Sequence, residues 1–150
     1  MPSSDNQPPS HLGGQPEVVV GAIVVNPAGE VLIAQQRKWD DGYTCFVGGH
    51  VMMGETIEHA LRRELREEIG IEVNGHTFVG YDESITPSDY ERVAHLVFLN
   101  FVCHIPTSEV HVPSDGEIQR TRWVTPAEAV SLVMASNRKL LIHLIEQRAL

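Results

Sequence analysis

Apolar positions along the chain change period several times, and each change marks an element. Residues 18–26, VVVGAIVVN, form a near-continuous β-branched run, the pattern of a strand buried on both faces. A Pro-Ala-Gly-Glu turn at 27–30 returns the chain into a second apolar strand at 31–36. A polar stretch, 37–43, leads to a short strand predicted at 44–47 and then to a glycine-rich loop at 48–54. Over residues 56–69 the period becomes helical, and Gly70 supplies a C-terminal stop. Two further strands are predicted at 77–83 and 95–104, with a polar loop at 84–92 between them. An irregular connection at 106–119 precedes a last short strand at 120–124. Thr125, Pro126 and Glu128 then have the form of a capping box with proline at the first helical position. That helix is expected to reach Ala135, and a final amphipathic helix to span 137–149. Strands and helices do not alternate regularly, which predicts an α/β fold with a mixed sheet and helices on both sides.

The helix at 56–69 carries the chemistry. At roughly 100° per residue, Ile57, Ala60, Leu61 and Leu65 share one face, with Ile69 at its edge. His59, Arg62 and Arg66 lie opposite. Glu64 and Glu68 fall inside the apolar sector, one turn apart, and Glu67 flanks them. A carboxylate facing a core is costly unless it is paired or bound to a metal, and two of them one turn apart repel. A divalent cation removes both penalties, and Mg²⁺ and Mn²⁺ favour oxygen ligands and phosphates. The ordinary alternative is a solvated acidic face, which the inward placement of these acids disfavours.

Residues 49–71, GHVMMGETIEHALRRELREEIGI, resemble the Nudix box, the signature of the Nudix hydrolases. Nine defining positions match: Gly49, Glu55, Arg63, Glu64, Leu65, Glu67, Glu68, Gly70 and Ile71. The resemblance implies an α/β/α sandwich with a mixed sheet. It implies that the carbonyl of Gly49 and the carboxylates of Glu67 and Glu68 hold metal. Glu64 would ligate metal or act as base toward the attacking water, and Arg63 would pair with Glu55 to brace the loop. Two departures stand out: Val47 replaces a common proline, and Met52 and Met53 stand where many members have an acid.

Composition sets bounds on this reading. At 150 residues the chain fits one domain, expected at 17–150 behind a disordered tail at 1–16. A net charge of −9 disfavours long nucleic acid as the main partner. No stretch approaches the ~18 apolar residues of a membrane span. The N-terminus lacks the basic start and apolar core of a secretion signal, so the expected location is the cytoplasm. Cys45 and Cys103 sit among apolar neighbours and read as buried free thiols. A homodimer is common among relatives, and the long apolar first strand could serve one.

The expected activity is Mg²⁺-dependent hydrolysis, with Mn²⁺ a substitute, of the diphosphate linkage in a small nucleotide: a nucleotide sugar, a nucleoside triphosphate or a dinucleoside polyphosphate. The competing reading is a non-catalytic nucleotide-binding module of the same fold. Substrate contacts are expected from Arg37 at the end of the second strand and from Trp39 in the following loop, with Tyr81 and Tyr90 as weaker candidates. Glu117, on the late irregular connection, is a candidate further ligand or base.

Overall fold

The computed structural model describes residues 14–38, 42–85 and 94–150. The tail expected at 1–16 therefore lies mostly outside the described residues, as do Trp39, Tyr90 and most of the loop expected at 84–92. The elements are β1 (Glu17–Val25), β2 (Val31–Gln36), β3 (Tyr43–Thr44), β4 (Val47–His50), α1 (Ile57–Ile69), β5 (Thr77–Ile85), β6 (His95–His104), β7 (Ile118–Val124), α2 (Pro126–Leu132) and α3 (Ala135–Glu146).

β1 is the spine of a mixed sheet. It pairs in parallel with β6 along its whole length, from Glu17 opposite Leu96 to Val25 opposite His104. On its other side it meets β2 only at Val25 opposite Val31. There the two strands diverge. β4 fills the gap against β1, with Val20 opposite Gly49 and Gly21 opposite Gly48. β3 and β7 pair with β2, and β5 closes the far edge against β6.

Alternate β1 side chains enter two separate cores. Val20, Ala22 and Val24 pack with Leu61, Leu65 and Ile69 of α1. Ile23 and Val25 pack with Ala129 of α2 and Leu141 and Leu144 of α3. This is why the run reads as continuously apolar, and it makes the molecule an α/β/α sandwich. The two cysteines sit in opposite cores, Cys103 with α1 and Cys45 with α2 and α3. Burial pushes both thiols up to about 12, so neither is a ready nucleophile.

Local signals end α1 at both termini. The Thr56 hydroxyl accepts from the His59 amide at 3.1 Å, and Gly70 takes the left-handed conformation, φ 68°, that glycine adopts freely. Thr125 and Glu128 form the reciprocal capping box expected for α2.

Three expectations are corrected. The strand predicted at 44–47 is two strands, β3 and β4, broken at Cys45 and Phe46, where Asn137 of α3 accepts from the Thr44 hydroxyl at 2.8 Å and the Cys45 amide at 2.9 Å. β4 also recruits residues 48–50 from the predicted loop, because Gly48 and Gly49 present no side chain to β1. The helix predicted to reach Ala135 stops at Leu132: Val133 bridges to Tyr43, and the Met134 amide donates to the Tyr43 carbonyl at 2.9 Å. Residues 20–25 of the first strand are buried; β6 pairs along its whole length, while β4 and β2 take its other edge at residues 19–22 and at Val25.

The β1–β4 seam sets a stringent test. A Cβ at Gly48 would overlap the Val20 carbonyl oxygen, whereas one at Gly75 meets nothing within 4 Å. Gly48→Ala is expected to lower stability by roughly 3 kcal/mol through backbone displacement, and Gly75→Ala to stay within about 0.5 kcal/mol of the parent. Urea denaturation of the two variants checks the contrast, and equal stabilities would refute the close approach.

Candidate active site

The site is built on one face of α1 and the β4 strand beside it. Glu64 is 9% exposed although it is ionisable. Its carboxylate lies directly over Gly49, where an added Cβ would come within 2.6 Å of it. Glycine at 49 thus leaves room for this carboxylate.

Arg63 organises the surrounding charges. Its Nε donates to Glu55 Oε2 at 2.6 Å and its Nη2 to Glu55 Oε1 at 2.9 Å, a two-point pair. Nη1 donates to Glu64 at 2.9 Å and more weakly to Glu67 at 3.2 Å, and Nη2 also reaches the His50 carbonyl at 3.0 Å. The side chains of Arg63 and Glu55 are 13% and 7% exposed, so this pair is largely withdrawn from solvent. Glu55 further accepts the Met52 amide at 3.0 Å and contacts His59 Nδ1 at 2.8 Å. The Arg63 guanidinium, helped by the Met52 amide, holds the Glu55 carboxyl far below the usual carboxylate range. One ion pair therefore ties the 50–55 loop to the helix.

Glu68 is different. It is partly buried on the same face, while Arg63 is committed to Glu55, Glu64 and Glu67. Burial, then the charges of Glu117, Glu64 and Glu67, push its carboxyl up to about 8, against a smaller lowering by Lys38. Burial also raises Glu64, opposed by Arg63 and reinforced by Glu67 and Glu117. Glu117 is thus close enough to act on both helix acids, although it arrives from the far end of the chain.

Arg37 lies at the end of β2, where its Nε and Nη2 donate to the carbonyls of Gly116 and Ser114 at 2.7 and 2.6 Å. Tyr81 stands on the edge strand β5, 70% exposed. Sequence reading did not single out Lys38, whose signal is its position directly after Arg37, or the backbone groups of His50 and Met52, which have none.

Hard oxygen donors in excess of nearby positive charge suit a divalent cation of the Mg²⁺ type. Among the described residues, no group of three or more His, Cys, Asp or Glu side chains is arranged to hold a metal ion. Glu64 and Glu67 lean instead on Arg63.

This electrostatic arrangement predicts a pH dependence. A carboxyl whose folded pKa lies near 8 against an ordinary 4.5 binds its proton more tightly when folded. Stability from this group is complete below the ordinary value and is lost as pH rises through the folded one. Metal-free protein is expected to lose melting temperature relative to its Glu68→Gln variant between about pH 5 and pH 8. Millimolar Mg²⁺ should restore the parent selectively at the upper end. A parent–variant difference that ignores pH would refute the charge excess.

Comparisons with known proteins agree with this architecture. The NUDIX domain family model matches residues 15–144. The chain is 32% identical to the nucleoside triphosphatase NudI of Escherichia coli over 120 residues, covering 75% of this chain and 84% of that protein. It is 29% identical to the NAD-capped RNA hydrolase NudC of Pseudomonas aeruginosa over 83% of this chain, and spans 41% of that longer relative. The crystal structure of a MutT protein from Methanosarcina mazei superimposes with a TM-score of 0.74 at 18% identity, covering 91% of this chain and 98% of that one, a likeness of fold. A family model matched over most of its length and the NudI relationship together show that the chain belongs to the Nudix hydrolase family.

Proposed function

We propose that this chain is a divalent-metal-dependent pyrophosphohydrolase acting on the diphosphate linkage of a small nucleotide. One observation carries the reading: Glu64, packed beside Gly49, and the half-buried Glu68 share one face of α1, with the Glu117 charge acting on both and the Arg63 guanidinium directed at neighbouring acids. Mg²⁺ is the expected ion, with Mn²⁺ its substitute. Glu67, Glu68 and the Gly49 carbonyl would hold it, with Glu64 and Glu117 as further oxygen donors.

The bound ion supplies charge neutralisation of phosphate oxygens and a more acidic water. The protein supplies rigidity. The Arg63–Glu55 pair fixes the loop that carries Gly49 against the helix that carries the acids, so donor positions do not drift during the reaction. Glu64 is the best-placed base, since burial raises its proton affinity while Arg63 keeps it oriented. Diphosphate cleavage demands positioning and charge stabilisation above all, and the acidic face of α1, braced by the Arg63–Glu55 pair, would supply much of both.

Substrate preference is open to a direct ranking. The likeness to NudI spans most of that protein, which places nucleoside triphosphates first in a panel. NAD-type dinucleotides follow from the NudC relationship, and ADP-ribose, GDP-sugars and diadenosine polyphosphates complete it. With Mg²⁺ at pH 8.5, one substrate is expected to turn over far faster than the rest. Glu67→Gln and Glu68→Gln should each lower kcat roughly a hundredfold or more with the fold retained. Tight nucleotide binding without turnover would instead support a sensor module.

The pH profile gives a second check. Metal binds the deprotonated carboxylates, so activity at limiting Mg²⁺ is expected to rise toward about pH 8, where the Glu68 carboxyl titrates in the metal-free protein. Raising Mg²⁺ should move that rise to lower pH. A rate flat from about pH 6 to 10 would count against carboxylate control of the metal.

A further inference from the structure

We propose that Arg37 is a positioning residue: its guanidinium clamps the turn at residues 114–117 and thereby delivers Glu117 to the acidic face of α1. The inference rests on the metal-centre reading above and adds to it the device that completes the centre.

Three contacts from one residue hold the turn. The Arg37 amide donates to the Glu117 carbonyl at 2.9 Å, while its Nε and Nη2 take the carbonyls of Gly116 at 2.7 Å and Ser114 at 2.6 Å. The turn is closed internally by the Gly116 amide on the Pro113 carbonyl at 3.2 Å. Farther back, the same connection is tied to the end of α1 by the His111 amide on the Ile69 carbonyl at 2.8 Å. The connection is thus fastened at the helix that bears Glu64 and Glu68 and at Arg37, directly after β2.

A β-bulge reinforces the placement. Gln35 pairs with Arg120, but Gln36 pairs with Ile118, so Gln119 is an extra residue on β7. Bulges re-aim the side chains that flank them, and this one lies two residues from Glu117. Ile118 turns into the α1 core at 3% exposure, which anchors the residue next to the carboxylate. Ile118 packs in the same core as Leu61, Leu65 and Ile69 of α1, which sets the adjoining Glu117 beside that helix.

The clamp suits arginine. A planar guanidinium offers two donors at a fixed angle to two carbonyls, which a lysine ammonium on a flexible stem does not reproduce. The bonds lie at the surface, where such contacts contribute little to global stability. Removing them should free the turn and leave the fold.

The experiment uses the full chain and Mn²⁺ alone, with free ion followed by EPR. It compares the parent with Arg37→Ala, Arg37→Lys, Glu117→Gln, the Arg37→Ala/Glu117→Gln double variant and Glu68→Gln. Glu117→Gln, which loses an oxygen donor, and Arg37→Ala, which loses the residue that positions that donor, are each expected to weaken Mn²⁺ binding roughly tenfold. Arg37→Lys should resemble the alanine variant, the double variant should bind no worse than Glu117→Gln alone, and melting temperatures should match the parent. Unchanged Mn²⁺ affinity in Arg37→Ala, or a loss that adds in full to that of Glu117→Gln, overturns the proposal; the latter is what an independent phosphate contact by Arg37 predicts. If Glu68→Gln also binds Mn²⁺ like the parent, the metal-centre reading itself falls and the clamp with it. If Glu68→Gln loses the ion while Arg37→Ala keeps it, only the clamp falls.

Discussion

Arg63 donates to Glu55, Glu64, Glu67 and the His50 carbonyl from one guanidinium, almost wholly inside the protein. A buried carboxylate without a partner is expensive, and a buried arginine without one is no cheaper. Each is tolerable here because the other is present. The pair joins the 50–55 loop to α1, so the strand that presents Gly49 and the helix that presents the acids behave as one body. Removing either partner would leave the other charged and unsolvated, a heavier loss than a surface ion pair implies.

The same constraint shapes the sheet. β1 and β2 separate after a single paired position, and the gap admits β4 as a short insert. Two glycines make that insertion sterically feasible for different reasons. Gly48 lets the backbone approach Val20, and Gly49 leaves the volume that the Glu64 carboxylate occupies. Behind this seam, Leu61, Leu65 and Ile69 anchor α1 in the core while its acids emerge at the edge. The helix is thus held by its apolar stripe and used by the polar residues interleaved with it.

Positive charge near the site is limited. Arg63 is directed at Glu55, Glu64 and Glu67, which leaves Glu68 with a raised pKa and only a modest opposing influence from Lys38. A chain of net charge −9 that gathers acids from α1 and from the loop before β7 is poorly suited to bind phosphate unaided. The local field has to be inverted by a cation before an anionic substrate is welcome. On the proposed function, ion and substrate binding would be coupled, and the acids that repel each other in the free protein would confer the coupling.

Much of this was legible without coordinates. Glu64 and Glu68 stood in the apolar sector of a helix with clear caps, and periodicity alone makes that anomalous. The spacing from Gly49 to Ile71 pointed to a family, and the unbroken apolar run of β1 announced a strand covered on both faces. These are local signals, written in side-chain type and period. Strand breaks were not: 44–47 divides because Asn137, over ninety positions away, takes the backbone between β3 and β4. The first strand proved central to the sheet because β6 and β4 pair with it. Glu117 could be suspected but not placed, since its approach to α1 depends on the Arg37 contacts and on a bulge whose register only strand pairing sets. Periodicity is a property of neighbours along the chain; which distant backbone closes a gap or carries an acid home is settled by close packing between segments that share no sequence.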